Sequence, residues 1–246
     1  MYKASQIVYF AEGRLTFCVK NYNYSMNYKN IHDRFWDQGF VILEGFFEDE
    51  MMDNYNRKIL QHFEVNRQWA HDEEFIAKSS AELIPWFPDN DGDGGFDGID
   101  QPPAFTRTTD AILTDGWQNL YCMMMFSEAG SQGQAWHQDC PPDNRLTFNL
   151  NWLVYTHNIT EETGGAIVIM SEAHKAGLLP VGKSQEELEG QVVFQPKKGT
   201  VIFLHGHCFH RVLPVMADRI STNFRAVPED TPEDITDICV YRNTKY

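Results

Sequence analysis

The chain has 246 residues, enough for one well-buried domain and short for two. Twenty Lys and Arg stand against 35 Asp and Glu, a net charge of −15 with neutral histidine, so phosphate backbones and anionic lipid surfaces are repelled. Neither nucleic acid nor a membrane is expected as a partner.

No apolar run approaches the roughly 18 residues of a spanning helix, and MYKASQIVYFAEGRLTFCVK has no apolar stretch of signal-peptide length, so a cytoplasmic address is expected. The five cysteines are odd in number and form no CxxC pair, which predicts reduced thiols rather than a disulfide framework or a thiolate zinc site.

In chain order, residues 1–29 read as an N-terminal extension with two short alternating runs, QIVYF and LTFCV, and residues 30–246 as one domain. NIHDRFWDQG predicts a short helix closed by Gly39, and FVILEGFF a strand and turn. The next helix is predicted over DEMMDNYNRKILQHFEVNRQW, where Met52, Tyr55, Ile59 and Phe63 recur at helical spacing as a core stripe. Beyond residue 110 strand-like runs take over: QNLYCMMMF, LTFNLNWLVY, GAIVIM, GQVVF, GTVIFLH, RISTNFRAV and DICVY. Gly, Pro and Asp clusters separate them, so the fold expected is mainly β, a sandwich or barrel with flanking helices.

A Gly/Asp/Pro-rich loop over 86–103 interrupts this order. Its core DNDGDGGFDGID places Asp89, Asp91, Asp93 and Asp100 at positions 1, 3, 5 and 12 of a Ca²⁺-loop template. The flanks IPWFP and QPPAF cannot form the paired helices of an EF-hand, so a lid-like loop over a pocket is expected, with Ca²⁺ binding as the alternative.

His137-Gln138-Asp139 carries the first sign of chemistry. On a strand, residues two apart point to one face, so an imidazole and a carboxylate would project together. A third ligand is available in GTVIFLHGHCFHRV, which offers His205, His207 and His210 in an otherwise apolar run. Two histidines and one carboxylate leave further positions open, which suits non-haem Fe(II) and O₂; a hydrolytic zinc site is the rival on ligand type. Arg219 and Ser221 share a face of the next strand, where they could grip a carboxylate by charge-assisted hydrogen bonds, an internal Asp or Glu being the other partner such an arginine can take.

Together these residues resemble the phytanoyl-CoA dioxygenase family of Fe(II)/2-oxoglutarate-dependent oxygenases. DRFWDQGFVILEGFFEDEMMDNYNRKI is similar to the family's opening, WHQD to its ligand motif, ITEETGGAIVIMSEAHKAG to the stretch NGxLxxxPGSHxxG, and GTVIFLHGHCFHRV to GDxxxFHxxxxHG. The resemblance implies a double-stranded β-helix of jelly-roll, cupin-like type. It implies His137, Asp139 and His210 as metal ligands, and Arg219 with Ser221 as the anchor of 2-oxoglutarate. Arg225 is the alternative anchor, because the loop between His210 and Arg219 is shorter than in most members. The sequence departs from the family at Ser171-Glu172-Ala173-His174, in place of PGSH, and at Arg211, in place of Gly. Asp139 fills the carboxylate position that a halogenase leaves to chloride.

The activity implied is oxidation, usually hydroxylation, of an unactivated C–H bond in a small-molecule substrate, with release of succinate and CO₂. Tyr121, Met123, Trp136 and Tyr155 are candidate pocket walls, Asn149 and Asn151 candidate hydrogen-bonding groups for 2-oxoglutarate or substrate, and Arg107 a candidate for a substrate carboxylate. A non-catalytic β-barrel ligand- or calcium-binding protein and a zinc hydrolase on the same ligands are the alternatives, and neither needs Arg219 with Ser221.

Overall fold

The structure is a computed structural model and describes residues 7–11, 14–18, 26–66, 83–88, 92, 96, 98–99, 102–114, 116–143, 147–179, 186–231 and 242–243. Asp89, Asp91, Asp93 and Asp100 of the calcium-template loop lie outside these residues, as does the run DICVY.

The first helical element, α1 (Tyr28–Gln38), follows the hairpin of β1 (Ile7–Ala11) and β2 (Arg14–Cys18). The Asn27 side chain accepts the Asn30 N–H at 3.0 Å and so caps the first turn. Gly39 ends the helix in the left-handed conformation, φ 84°, where a Cβ would lie 2.3 Å from Cys208 Sγ. The chain then enters β3 (Phe40–Leu43) and α2 (Asp49–Val65), whose inward stripe is Met52, Tyr55, Ile59 and Phe63 as the spacing predicts. Burying each of these stabilises the fold by roughly 1.5–3 kcal/mol.

Two elements ahead of the long strands escape the sequence reading. β4 (Ile84–Trp86) contains Pro85, which argues against a strand in the middle of a sheet, and here it forms the sheet's edge. α3 (Pro103–Leu113) begins with Pro at its first position, a favoured helix start immediately after the acidic loop.

The remaining strands are β5 (Trp117–Ser127), β6 (Gln134–Gln138), β7 (Leu150–Val154), β8 (Ile167–Met170), β9 (Gln191–Phe194), β10 (Val201–His205), β11 (His210–Val212), β12 (Arg219–Pro228) and β13 (Arg242–Asn243). A six-stranded sheet runs β3-β10-β7-β12-β5-β4, and a five-stranded one β13-β6-β11-β8-β9, with every pairing antiparallel. This is the expected double-stranded β-helix with flanking helices.

Strand alternation sorts the side chains into three layers. Leu150, Trp152 and Val154 of β7 and Phe203 of β10 face the helices, where Phe105 of α3 meets Trp152 edge-on at 4.4 Å. Tyr155, Ile167, Ile169, Ile202 and Leu204 pack between the sheets. Trp136, Val168, Leu179 and Phe209 form a third cluster on the opposite side of the smaller sheet. No helix among the described residues is long and apolar enough to cross a membrane.

Candidate metal centre

The centre is built where β6 and β11 run side by side, with His137 directly opposite His210 in the register. Asp139 follows β6 and is tied by its backbone N–H to the Gly206 carbonyl at 2.8 Å. Their ligand atoms lie within 4.8 Å of one another, and all three residues are buried. His137 Nε2 stands 3.8 Å from Asp139 Oδ1, His210 Nε2 stands 3.7 Å from Oδ2, and the two imidazole centroids are 4.0 Å apart.

The backbone fixes which nitrogens face inward. His137 Nδ1 meets the Ala135 carbonyl at 2.7 Å and His210 Nδ1 meets the Cys208 carbonyl at 3.0 Å. A carbonyl only accepts, so each Nδ1 carries a proton and each Nε2 is the nitrogen that faces the centre. Burial, reinforced by the neighbouring His210, pushes His137 down to about 4, so it is a neutral ligand at physiological pH. For Asp139 burial alone would raise the pKa, but Arg225, the two histidines and the Asn151 hydrogen bond outweigh it and hold the carboxyl below its ordinary value. A neutral His137 and an ionised Asp139, with the His210 imidazole beside them, make a donor set of the kind that N/O-accepting cations take up.

Asn149 and Asn151 serve this centre differently from the sequence expectation. Asn151 Nδ2 donates to Asp139 Oδ2 at 2.8 Å, and Asn149 Nδ2 approaches the Asp139 carbonyl at 3.4 Å. The NH₂ groups of both amides are thus turned to Asp139, while the Asn151 oxygen accepts from Arg225 and Asn223.

Arg219 and Ser221 share the inner face of β12, in register with Ser127 and Met125 of β5. Arg219 is 3% exposed, no acidic side chain pairs with it among the described residues, and its Nε has no hydrogen-bond partner. Burial lowers its pKa, with Tyr155 nearby partly restoring it, and a guanidinium still remains protonated. Its stem lies against Gly165, where an added Cβ would sit 2.4 Å from Arg219 Cδ and 2.6 Å from Nε. The sequence reading missed this close approach of Gly165 to Arg219, and the doubled glycine of TGGAIVIM was its signal. A buried cation in a glycine-walled cradle fits the far carboxylate of a dicarboxylic acid.

Other expectations sort by strand face. Tyr121 and Met123 oppose Arg225 and Asn223 on the inner side of the larger sheet, and Tyr155 is buried in the interior cluster. Trp136 is no pocket wall: one residue from His137, it points to the other side, where its Nε1 donates to the Glu186 carbonyl at 2.8 Å and Arg211 lies 5.0 Å above its ring. Arg211, unexpected at this position, therefore serves the outer packing. Arg107 is exposed on α3, outside the larger sheet. His205 ends β10 stacked on Phe148 at 3.9 Å, and His207 sits in the following turn, so neither joins the triad.

A two-histidine, one-carboxylate centre between the sheets of a double-stranded β-helix defines a metal-dependent class of protein. The family model described as Phytanoyl-CoA dioxygenase (PhyH) matches residues 35–220, and the chain belongs to that family, an enzyme of the Fe/2-oxoglutarate oxygenase type. Among solved structures it is similar to the non-heme alpha ketoglutarate dependent epimerase SnoN from nogalamycin biosynthesis, at 13% identity over 89% of this chain and 91% of that one, TM-score 0.65. It is also similar to HygX from Streptomyces hygroscopicus with nickel and 2-oxoglutarate bound, at 12% identity over 89% and 97%, TM-score 0.67. At these identities the likeness is one of fold. A comparison with curated proteins found no match.

Proposed function

We propose that this chain is an Fe(II)/2-oxoglutarate-dependent dioxygenase that hydroxylates, or otherwise oxidises, an unactivated C–H bond of a small molecule. The observation that carries the reading is the pairing of the His137/Asp139/His210 cluster with a buried Arg219 that has no acidic partner among the described residues. His137, Asp139 and His210 would hold the iron, and Arg219 with Ser221 the far carboxylate of 2-oxoglutarate. When bound, iron and 2-oxoglutarate supply the activation of O₂, with release of succinate and CO₂. The apolar interior around Tyr155, Ile167 and Ile169 excludes water from the space between the anchors. Tyr121 and Met123 are the chain's contribution to the substrate wall.

A zinc hydrolase or a calcium-binding module has no use for a buried guanidinium with no acidic partner among the described residues, and this favours the oxygenase reading over both. SnoN in complex with nogalamycin RO and HygX with hygromycin B bound show the same fold around elaborate small molecules, which supports that substrate class here. A cytoplasmic address belongs to the same reading, and the buried Cys122, Cys140 and Cys208 form no disulfide with one another.

The test is the anaerobic complex of the protein with Fe(II) and 2-oxoglutarate. A weak visible charge-transfer band is expected, lost in His210→Ala and kept in His205→Ala; no band in the unaltered protein overturns the reading. Succinate release, screened over candidate substrates, then separates hydroxylation from other outcomes by product analysis.

A further inference from the structure

The proposed function uses one of two guanidiniums buried on the inner face of β12. The second, Arg225, is 4% exposed and points at the metal carboxylate, its Nη2 3.2 Å from Asp139 Oδ2. Asn151 Nδ2 reaches the same oxygen at 2.8 Å. A carboxylate oxygen has two lone pairs, so both acceptor positions on Oδ2 are engaged and those of Oδ1 are left.

The charged ends dictate how the amide between them is oriented. Asp139 only accepts and Arg225 only donates, so Asn151 must turn its NH₂ to the carboxylate and its oxygen to the guanidinium. Arg225 Nε donates to that oxygen at 2.8 Å, and Asn223 Nδ2 donates to it at 3.2 Å. Arg225 faces Asn151 directly in the β12–β7 register, its guanidinium lies 5.4 Å above the Tyr121 ring, and the register of β12 against β5 shifts between Arg225 and Ala226. The extra residue of that irregularity is Leu120 on β5, while β12 stays in regular register with β7 through Arg225 and Ala226, so strand pairing holds Arg225 against Asn151.

We infer that Arg225 and Asn151 form a clamp that presents Asp139 to the metal through Oδ1 alone. Arg225 is thus a positioning residue acting through Asp139, and not a second anchor for 2-oxoglutarate. The inference rests on the metal reading above. Without the clamp Oδ2 is free to turn toward the metal as well, so the carboxylate takes up more of the coordination shell before any cosubstrate arrives.

Cobalt(II) in place of iron, with 2-oxoglutarate omitted, separates the possibilities, because the visible bands of Co(II) lose intensity as its coordination number rises. The full-length chain is titrated with Co(II) alone and followed by absorbance and calorimetry. Arg225→Met and Asn151→Leu are both expected to lose visible-band intensity, with Arg225→Lys closer to the unaltered protein. Asn151→Leu is expected to weaken Co(II) binding roughly 10- to 100-fold. Spectra of Arg225→Met and Asn151→Leu that superimpose on the unaltered one overturn the clamp, and so does an effect of Arg225→Met that appears only after 2-oxoglutarate is added. Should Arg225→Met fail to fold, Asn151→Leu decides in the same way, since it breaks the bridge while keeping the charge. An unaltered chain that binds no Co(II) brings down the metal reading, and the clamp with it.

Discussion

Arg219 and Arg225 stand six residues apart on the inner face of one strand, buried to nearly the same degree, in opposite surroundings. Arg225 has a carboxylate at 3.2 Å and an amide oxygen at 2.8 Å. Arg219 has no acidic partner among the described residues, and its Nε is unbonded. A buried charge is tolerated when it is paired and hydrogen-bonded, so Arg225 is part of the finished scaffold. An unpaired one calls for something to complete it, and under the proposed function the far carboxylate of 2-oxoglutarate would do so at Arg219. On that reading one end of the barrel would take a cation and the other an anion.

The contrast predicts opposite signs for the same substitution. Arg219→Met is expected to weaken 2-oxoglutarate binding to the metal-loaded protein at least about 100-fold, the scale of a lost charge-assisted pair. The same change should raise the melting temperature of the free protein, by about 2–4 °C for each kcal/mol of burial cost removed. Arg225→Met should lower it, since it leaves Asp139 buried with less compensation, at a cost of about 3–5 kcal/mol. Calorimetric melting of the two variants checks both; equal shifts of one sign would erase the distinction between the two ends.

Gly165→Ala probes the anion end without touching a charge. Its φ of 71° suits glycine, and the new methyl would collide with the Arg219 stem. A loss of 2-oxoglutarate affinity with metal affinity unchanged is expected in isothermal titration; a joint loss of both would mean that the two ends are not separable.

His157 reports on the same end by pH. Burial, then the Arg219 charge, pushes its pKa down to about 4, against about 6.5 in an unfolded chain. Above pH 6.5 the histidine is neutral in both states. As pH falls from 6.5 toward 4 only the unfolded chain takes up the proton, so stability is lost across that window, at up to about 1.4 kcal/mol per pH unit for one such group. A carboxylate bound at Arg219 offsets that charge, so histidine NMR titration should show the His157 pKa moving up when 2-oxoglutarate is added. An unmoved value would place the dicarboxylate elsewhere.

What was legible in the sequence follows from how local each signal is. The stripe of α2 and the apolar runs of β5, β8 and β10 obey simple periods, and His137 with Asp139 follows from alternation on β6. The same rule excludes Trp136 from the pocket, one residue away and on the opposite face. Choosing His210 over His205 and His207 required the turn between β10 and β11, which residue types alone do not reveal and the family resemblance supplied. Asn149 and Asn151 were visible as polar residues in a strand, but their partner is ten or more residues away across a turn, and such pairings have no local pattern.

The smallest expected effect lies outside both ends, at the departure Ser171-Glu172-Ala173-His174. Glu172, in the position of the family's glycine, adopts φ 65°, a left-handed conformation that disfavours a residue with a Cβ. Its side chain is exposed and its N–H donates to the Gln38 carbonyl at 2.9 Å, an interaction glycine retains. Glu172→Gly removes a steric cost of about 1–2 kcal/mol and adds a backbone-entropy cost of about 0.5–1 kcal/mol, for a net gain of up to about 1.5 kcal/mol. Chemical denaturation should show a higher midpoint with an unchanged slope, and 2-oxoglutarate affinity should not move. A change in that affinity would mean that the turn beside His174 is coupled to the barrel interior, and the two arginines could then no longer be treated as the local origin of the contrast.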